Sequence, residues 1–391
     1  MAVNIDFKEP ATGRSLIFFT ICHFLVDTLC YFYMFGTVLP ALRLFERYNL
    51  IIPSLILYNL FAFALQFGWG ILADRFIKFP VGLFGVVLLG FGFLPFVLPL
   101  LMTRIGILFA ILIVMGIGNA AFHVEGGRDS FVRSRGNELR TGVFAAGGAA
   151  GVIVGTAVAK FRIVGLILLA LWVLAIPTLA WLKFEAKRSQ FWQTGPKYKM
   201  FTNISSQKWT RKCVIAASVF IVLQTMSLPT MSSMKRQVSL IGSSTYLSIL
   251  VLSLGLVLVL SRPFGGWLTS QLSGLPFLFA GGVVSIISLL LPWNMPWLLI
   301  LQGFILAAPS AWAGYQYYLL LPHRPAFAYS LQKIPMFLAA FIVLSKQEIL
   351  GSNQSNEWLF ELIVLFMWLA SLFLFTIIYY RDVDRRRVFH D

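Results

Sequence analysis

Apolar stretches of about 20 residues recur along the whole chain, each long enough to cross roughly 30 Å of hydrocarbon at 1.5 Å per residue. They fall near 15–39, 51–73, 80–101, 105–125, 141–159 and 163–182, and, after a polar stretch, near 213–232, 244–261, 275–293, 296–320, 326–345 and 357–380. No large soluble domain fits between them. Only 12% of the 391 residues are charged and 59% are hydrophobic, whereas a soluble domain carries roughly 25% charge. The expected fold class is an all-α membrane protein with twelve transmembrane helices in two six-helix bundles. The bundles span 1–183 and 212–391, with a basic linker at 184–211. Met1 to Arg14 leads straight into a hydrophobic stretch of transmembrane length, which reads as a retained first span rather than a cleaved signal.

The formal charge of +16 would suggest nucleic acid in a soluble protein; here it asks which side of the membrane carries the excess. With the N-terminus inside, 22 of the 31 basic residues fall on cytoplasmic segments and 8 on outer loops, and Lys333 lies within a span. The positive-inside rule then places both termini in the cytoplasm. The densest basic group, Lys183 to Lys212, reads as a solvated linker near anionic headgroups. No nucleic-acid partner is expected.

An internal repeat supports the division into halves. Gly70-Ile-Leu-Ala-Asp74-Arg75 ends the second span and Gly266-Trp-Leu-Thr-Ser270-Gln271 ends the eighth, 196 residues later. Paired bundles of this kind enclose a site at their interface.

Ionisable groups in hydrocarbon are expensive, so those present are functional candidates by default. His23 and Asp27 stack four residues apart on one face of the first span. Imidazole titrates near neutrality and burial perturbs a carboxylate, so the pair can take up and release a proton. The alternative is a static polar contact. The fourth span ends in Asn119, Phe122, His123, Glu125, Gly126, Gly127, Arg128 and Asp129. His123 and Glu125 stand about 200° apart on a regular helix and share a face only if Gly126-Gly127 unwinds it. Glu125 and Arg128 are three apart and can pair, as a gate, a proton relay or a structural end-cap. His23, Asp27, His123 and Glu125 together are acceptable metal ligands, although no signature spacing selects a metal. Gly147, Gly148, Gly151 and Gly155 form a small-residue packing face in the fifth span.

The second half replaces carboxylates with Gln224, Gln302, Trp312, Tyr315, Gln316 and Lys333, a set that, with His123 of the fourth span, is suited to contacts with a solute and, at Lys333, to an anionic group or to snorkelling. Glu361 reads as interfacial. Cys22, Cys30 and Cys213 offer neither a disulfide framework nor a zinc spacing and read as packing residues. Nothing pairs a nucleophile with a base, so no enzyme and no cofactor are expected.

The loop Gly70-x-x-x-Asp74-Arg75-x-x-Lys78 resembles the signature loop of the major facilitator superfamily, with a degenerate copy at Gly266. Within that superfamily, His23-Phe-x-x-Asp27, the Gly116 to Glu125 segment and the Gly147-Gly148-x-x-Gly151 run resemble the fosmidomycin-resistance exporters; Val124 stands where that group has proline. The resemblance implies alternating access in a monomer, with Asp74, Arg75 and Lys78 as gate, to which the pairing of Arg128 with Glu125 adds a further gate candidate. The working expectation is a proton-coupled transporter of a small amphipathic or anionic solute, an antiporter working in efflux from the plasma membrane, with His23, Asp27 and Glu125 in proton coupling. A facilitator or metal-ion transporter and a transporter-like scaffold are the rivals.

Overall fold

The computed structural model describes residues 13–76, 79–134, 138–188, 207–227, 244–272, 275–290, 296–321, 324–350 and 354–388. These form twelve helical rods: α1 (13–44), α2 (Tyr48–Arg75), α3 (Val81–Val97), α4 (Ile105–Ser134), α5 (Glu138–Val158), α6 (Arg162–Arg188), α7 (Gln207–Ser227), α8 (Ser244–Leu272), α9 (Leu275–Leu290), α10 (296–320), α11 (325–350) and α12 (Gln354–Val388). Six are apolar over a full membrane-crossing length, and four more contain shorter apolar helices. Their outer faces carry large hydrophobic side chains such as Phe279 at 79% exposure, Leu174 at 65% and Ile163 at 63%. So much exposed apolar surface suits lipid, not water. Successive rods alternate in direction. Odd-numbered rods begin, and even-numbered rods end, on the side of the chain termini, called here the terminal side.

Prolines account for the irregular turns. Pro40 offers no N–H to the carbonyl four residues back, and α1 widens into a π turn over Met34–Val38. Pro335 does the same to the Leu331 carbonyl, where α11 is interrupted between Pro325–Leu331 and Lys333–Leu350. α10 breaks between Pro296–Ala307 and Ser310–Leu320, next to Pro309. One sequence expectation needs correction, and one alternative left open is decided. α8 does not stop near 261; it runs through Arg262 and Pro263 to Leu272, so Arg262 lies inside a span. α4 continues as regular helix through Gly126 and Gly127 to Ser134. α6 reaches Arg188 and α7 starts at Gln207, and the part of the basic linker at 189–206 lies outside the described residues.

Within the N-terminal half, α5 lies against α1 with almost nothing between the backbones. A Cβ on Gly147, Gly151 or Gly155 would overlap the carbonyls of Thr20, Phe24 and Thr28, a ladder with the four-residue step of both helices. The two halves meet along α2 with α11 and along α5 with α8. Here the repeat shows its physical purpose. Gly70 of α2 faces Ser330 and the Ala326 carbonyl, and its counterpart Gly266 of α8 faces the Glu138 carbonyl.

Candidate functional site

The α1–α5 ladder sets His23 and Asp27 against α5, and α4 closes over them. His23 Nδ1 donates to the Phe144 carbonyl at 2.8 Å, and His123 Nδ1 to the Asn119 carbonyl at 2.9 Å. A carbonyl can only accept, so in both rings the proton on Nδ1 is fixed and Nε2 is the free nitrogen. The two Nε2 atoms face each other at 2.7 Å. Two lone pairs repel at that separation; the contact is a hydrogen bond only when one proton lies between them. Asp27 supplies the balancing charge, with Oδ2 3.3 Å from His23 Nε2 and Oδ1 3.6 Å from His123 Nε2. Asn119 Nδ2 donates to Asp27 Oδ1 at 3.0 Å and reaches the Tyr58 hydroxyl of α2 at 3.2 Å. All of these residues are buried. The constellation can therefore hold one proton as an imidazolium–imidazole pair beside a carboxylate, with no net charge.

The structure brings together three of the four metal-ligand candidates: His23, Asp27 and His123 present donor atoms within 4.8 Å of one another. Tetrahedral zinc with bonds of about 2.0–2.1 Å holds two nitrogens about 3.3 Å apart, so the rings would have to separate by about 0.6 Å to admit it. Glu125 does not join them. It turns toward Gly82 of α3 and forms an ion pair with Arg128, which also donates to the Ala73 carbonyl of α2 at 3.1 Å.

Below the site, toward the terminal side, aromatic rings span the two halves. His23 stacks on Phe144 (4.4 Å between centroids), Phe144 meets Tyr329 of α11 at 6.1 Å, and Tyr329 meets Phe131 of α4 at 5.4 Å. Phe131 then contacts Tyr315 and Tyr318 of α10 at 6.0 and 5.5 Å. Gly126 and Gly127 make room for this layer: a Cβ on the first would strike Phe144, and on the second Tyr329. Two polar contacts lie further out. Asp74, at the end of α2, accepts the backbone N–H groups of Ala326 and Phe327 at 3.2 and 2.8 Å, capping the first turn of α11. On the opposite side of the interface Thr269 of α8 donates to Glu138, in the first turn of α5, at 2.5 Å. The terminal side is thus closed between the halves. Arg75 is exposed, 5.5 Å over the Phe76 ring, and Lys78 lies outside the described residues.

The solute candidates of the second half do not converge on one point. Gln224 bonds the Leu306 carbonyl, Gln316 the Trp312 carbonyl at 3.3 Å, and Trp312 packs 4.5 Å from Phe375 of α12, while Gln302 is buried. Tyr315 belongs to the aromatic layer. Lys333 faces the interface, its Nζ 4.7 Å over the Tyr329 ring and 3.8 Å from Met336 Sδ. Sequence reasoning named Asn119 without a role and missed Tyr58, Phe144, Tyr329, Glu138, Thr269 and Arg262. Arg262 escaped because the apolar stretch gives out near 261.

No known protein family matches the chain, and no curated protein matches it. Solved structures do. The E. coli fucose:proton symporter aligns with a TM-score of 0.68 at 12% identity, over 95% of this chain and 99% of that one. A bacterial homologue of the iron transporter ferroportin, in its outward-facing state, aligns with a TM-score of 0.61 at 15% identity, over 95% and 100%. The chain has the major facilitator fold of a multi-pass helical membrane protein, and its described residues form twelve helical rods, six of them long and apolar enough to cross a membrane.

Proposed function

We propose that the chain is a proton-coupled secondary transporter that moves a small amphipathic or anionic solute by alternating access. The observation that carries this reading is the 2.7 Å contact between His23 and His123 Nε2 beside Asp27. It is a buried proton site within the N-terminal half, one aromatic ring, Phe144, away from Tyr329 of the other half. His23, Asp27 and His123 bind the proton; Asp74 on α11 and Glu138 with Thr269 hold the terminal side shut, with Glu125 and Arg128 bracing α4 against α2. The basic excess on the terminal side supports an orientation with both termini in the cytoplasm, in a protein of the plasma membrane. The resemblance to fosmidomycin-resistance exporters favours outward, antiport movement. A proton-coupled sugar transporter and a relative of an iron transporter share the fold, which supports transport as such.

The test is internal pH in dye-loaded proteoliposomes while organic anions, drugs and divalent metals are added outside. Solute-dependent pH change in the wild type, abolished in Asp27→Asn and in His23→Ala, is the expected result; intact coupling in both variants would sink the assignment.

The convergence of His23, Asp27 and His123 favours a second reading, in which a divalent metal is the transported solute and these side chains hold it in transit. Cobalt(II) added to the detergent-purified protein decides between them. A ligand-field absorption band lost in His123→Ala would favour metal transport, and its absence at saturating cobalt would remove that reading.

A further inference from the structure

Two cations of the C-terminal half stand at the depth of the histidines. Counting 1.5 Å per residue from the terminal-side helix ends, His23, His123 and Arg262 lie about 15 Å in, and Lys333 about 12 Å. Arg262 Nη1 donates to the Ala145 carbonyl at 2.5 Å. That carbonyl is the neighbour of the Phe144 carbonyl that receives His23 Nδ1. Lys333 Nζ lies over Tyr329, which itself packs on Phe144. Through α5 and Tyr329, therefore, both cations are fixed against the wall of the histidine site. Lys333 is within electrostatic reach of Arg262 and Asp27, and Arg262 within reach of Asp27 and Tyr329.

Neither cation forms an ion pair with a carboxylate among the described residues. Asp27 is engaged by His23, His123 and Asn119. A positive side chain at this depth is costly without a counter-charge, and a second one beside it adds repulsion.

We propose that Arg262 and Lys333 form an oxyanion subsite and that the solute's carboxylate or phosphate head supplies the counter-charge, with Tyr329 as the floor. This rests on the transport reading and narrows its solute to an organic anion. The chemistry fits. A guanidinium presents a planar fork to two oxygens of a carboxylate or phosphate, while an ammonium adds a compact charge from a second helix. Because Arg262 comes from α8 and Lys333 from α11, an anion bound there would tie two helices of the C-terminal half together where they lean on α5 and on the aromatic layer.

The experiment is thermal unfolding of the detergent-purified protein, followed by tryptophan fluorescence, with acetate, benzoate, succinate and inorganic phosphate as probes and benzamide as the uncharged control. At least one oxyanion is expected to raise the midpoint saturably while benzamide does not; the carboxylate and phosphate arms separate the two head groups. Arg262→Gln and Lys333→Gln should each weaken the apparent affinity about tenfold or more, and Arg262→Lys, which keeps the charge but loses the fork, less. No saturable stabilisation by any oxyanion, or unchanged affinity in Arg262→Gln and Lys333→Gln, would overturn the proposal. If Arg262→Gln fails to elute as a folded species, Lys333→Gln and Arg262→Lys carry the test, and unchanged affinity in both overturns it. Oxyanion binding without solute-driven proton flux would remove the transport reading and leave the subsite. Proton-coupled flux of an uncharged solute, unaffected by Arg262→Gln, would do the reverse.

Discussion

At the scale of single residues, the proposed coupling site depends on where two protons are fixed. The carbonyls of Phe144 and Asn119 each hold an Nδ1–H, which leaves the two Nε2 atoms to share one further proton. Gly148 makes the arrangement possible, since a Cβ there would overlap both His23 Nε2 and Asp27 Oδ2. Gly148→Ala is expected to cost about 1–3 kcal/mol in stability by overpacking and to abolish solute-driven proton flux. Gly147→Ala is the control, because its Cβ meets the Thr20 carbonyl rather than the site. It should lose similar stability in thermal unfolding yet keep measurable flux; equal loss of flux in both would show that helix approach alone matters. The four-residue spacing of His23 and Asp27 was legible in the sequence because it follows from one helix. His123 could be grouped with them only as a possible metal ligand alongside Glu125; that it meets His23 and Glu125 does not was not legible, because it depends on which faces of α1 and α4 meet, and that is settled by small residues on a third helix.

At the scale of elements, α4 shows how a glycine pair leaves two readings open. The sequence allows Gly126-Gly127 to unwind the helix end, yet the helix stays regular, and the two missing side chains become space for Phe144 and Tyr329. The requirement comes from α5 and α11, which periodicity within α4 cannot report. Likewise Arg262-Pro263 looks like a terminus from within α8, and only α5, with Gly142 against the Arg262 carbonyl and Pro263, shows why the helix continues. If the aromatic layer is what closes the terminal side, Gly127→Val should push Tyr329 out of it. Hydrogen exchange of the 325–331 segment of α11 is then expected to accelerate on the order of tenfold, as a destabilisation of one to two kcal/mol would produce. Unchanged exchange in a folded Gly127→Val protein would mean that the layer does not control opening on that side.

At the scale of the whole molecule, the repeat offset of 196 residues was enough to predict two equivalent halves, and the fold agrees. What the repeat could not convey is that the two halves close the terminal side with different chemistry. At one edge of the interface an acid at the end of α2 caps the start of α11; at the other the acid has moved to the start of α5, where a hydroxyl from α8 meets it. Glycine is kept at both repeat positions, Gly70 and Gly266, because both need backbone-close packing, while the acid is free to change sides so long as one polar contact crosses each edge. Two contacts on different helix pairs with no shared partner should bias one open–closed equilibrium independently. Losing a helix cap or a buried hydrogen bond to a carboxylate costs about 1 kcal/mol, so Asp74→Ala and Glu138→Ala should each raise the population open on the terminal side about fivefold, and together about 25-fold. Spin-label distances between the terminal-side ends of α4 and α10 would read this directly. A longer distance growing from single to double variant is the expected pattern, whereas a double variant no more open than either single one would mean that the two edges act as one lock rather than two.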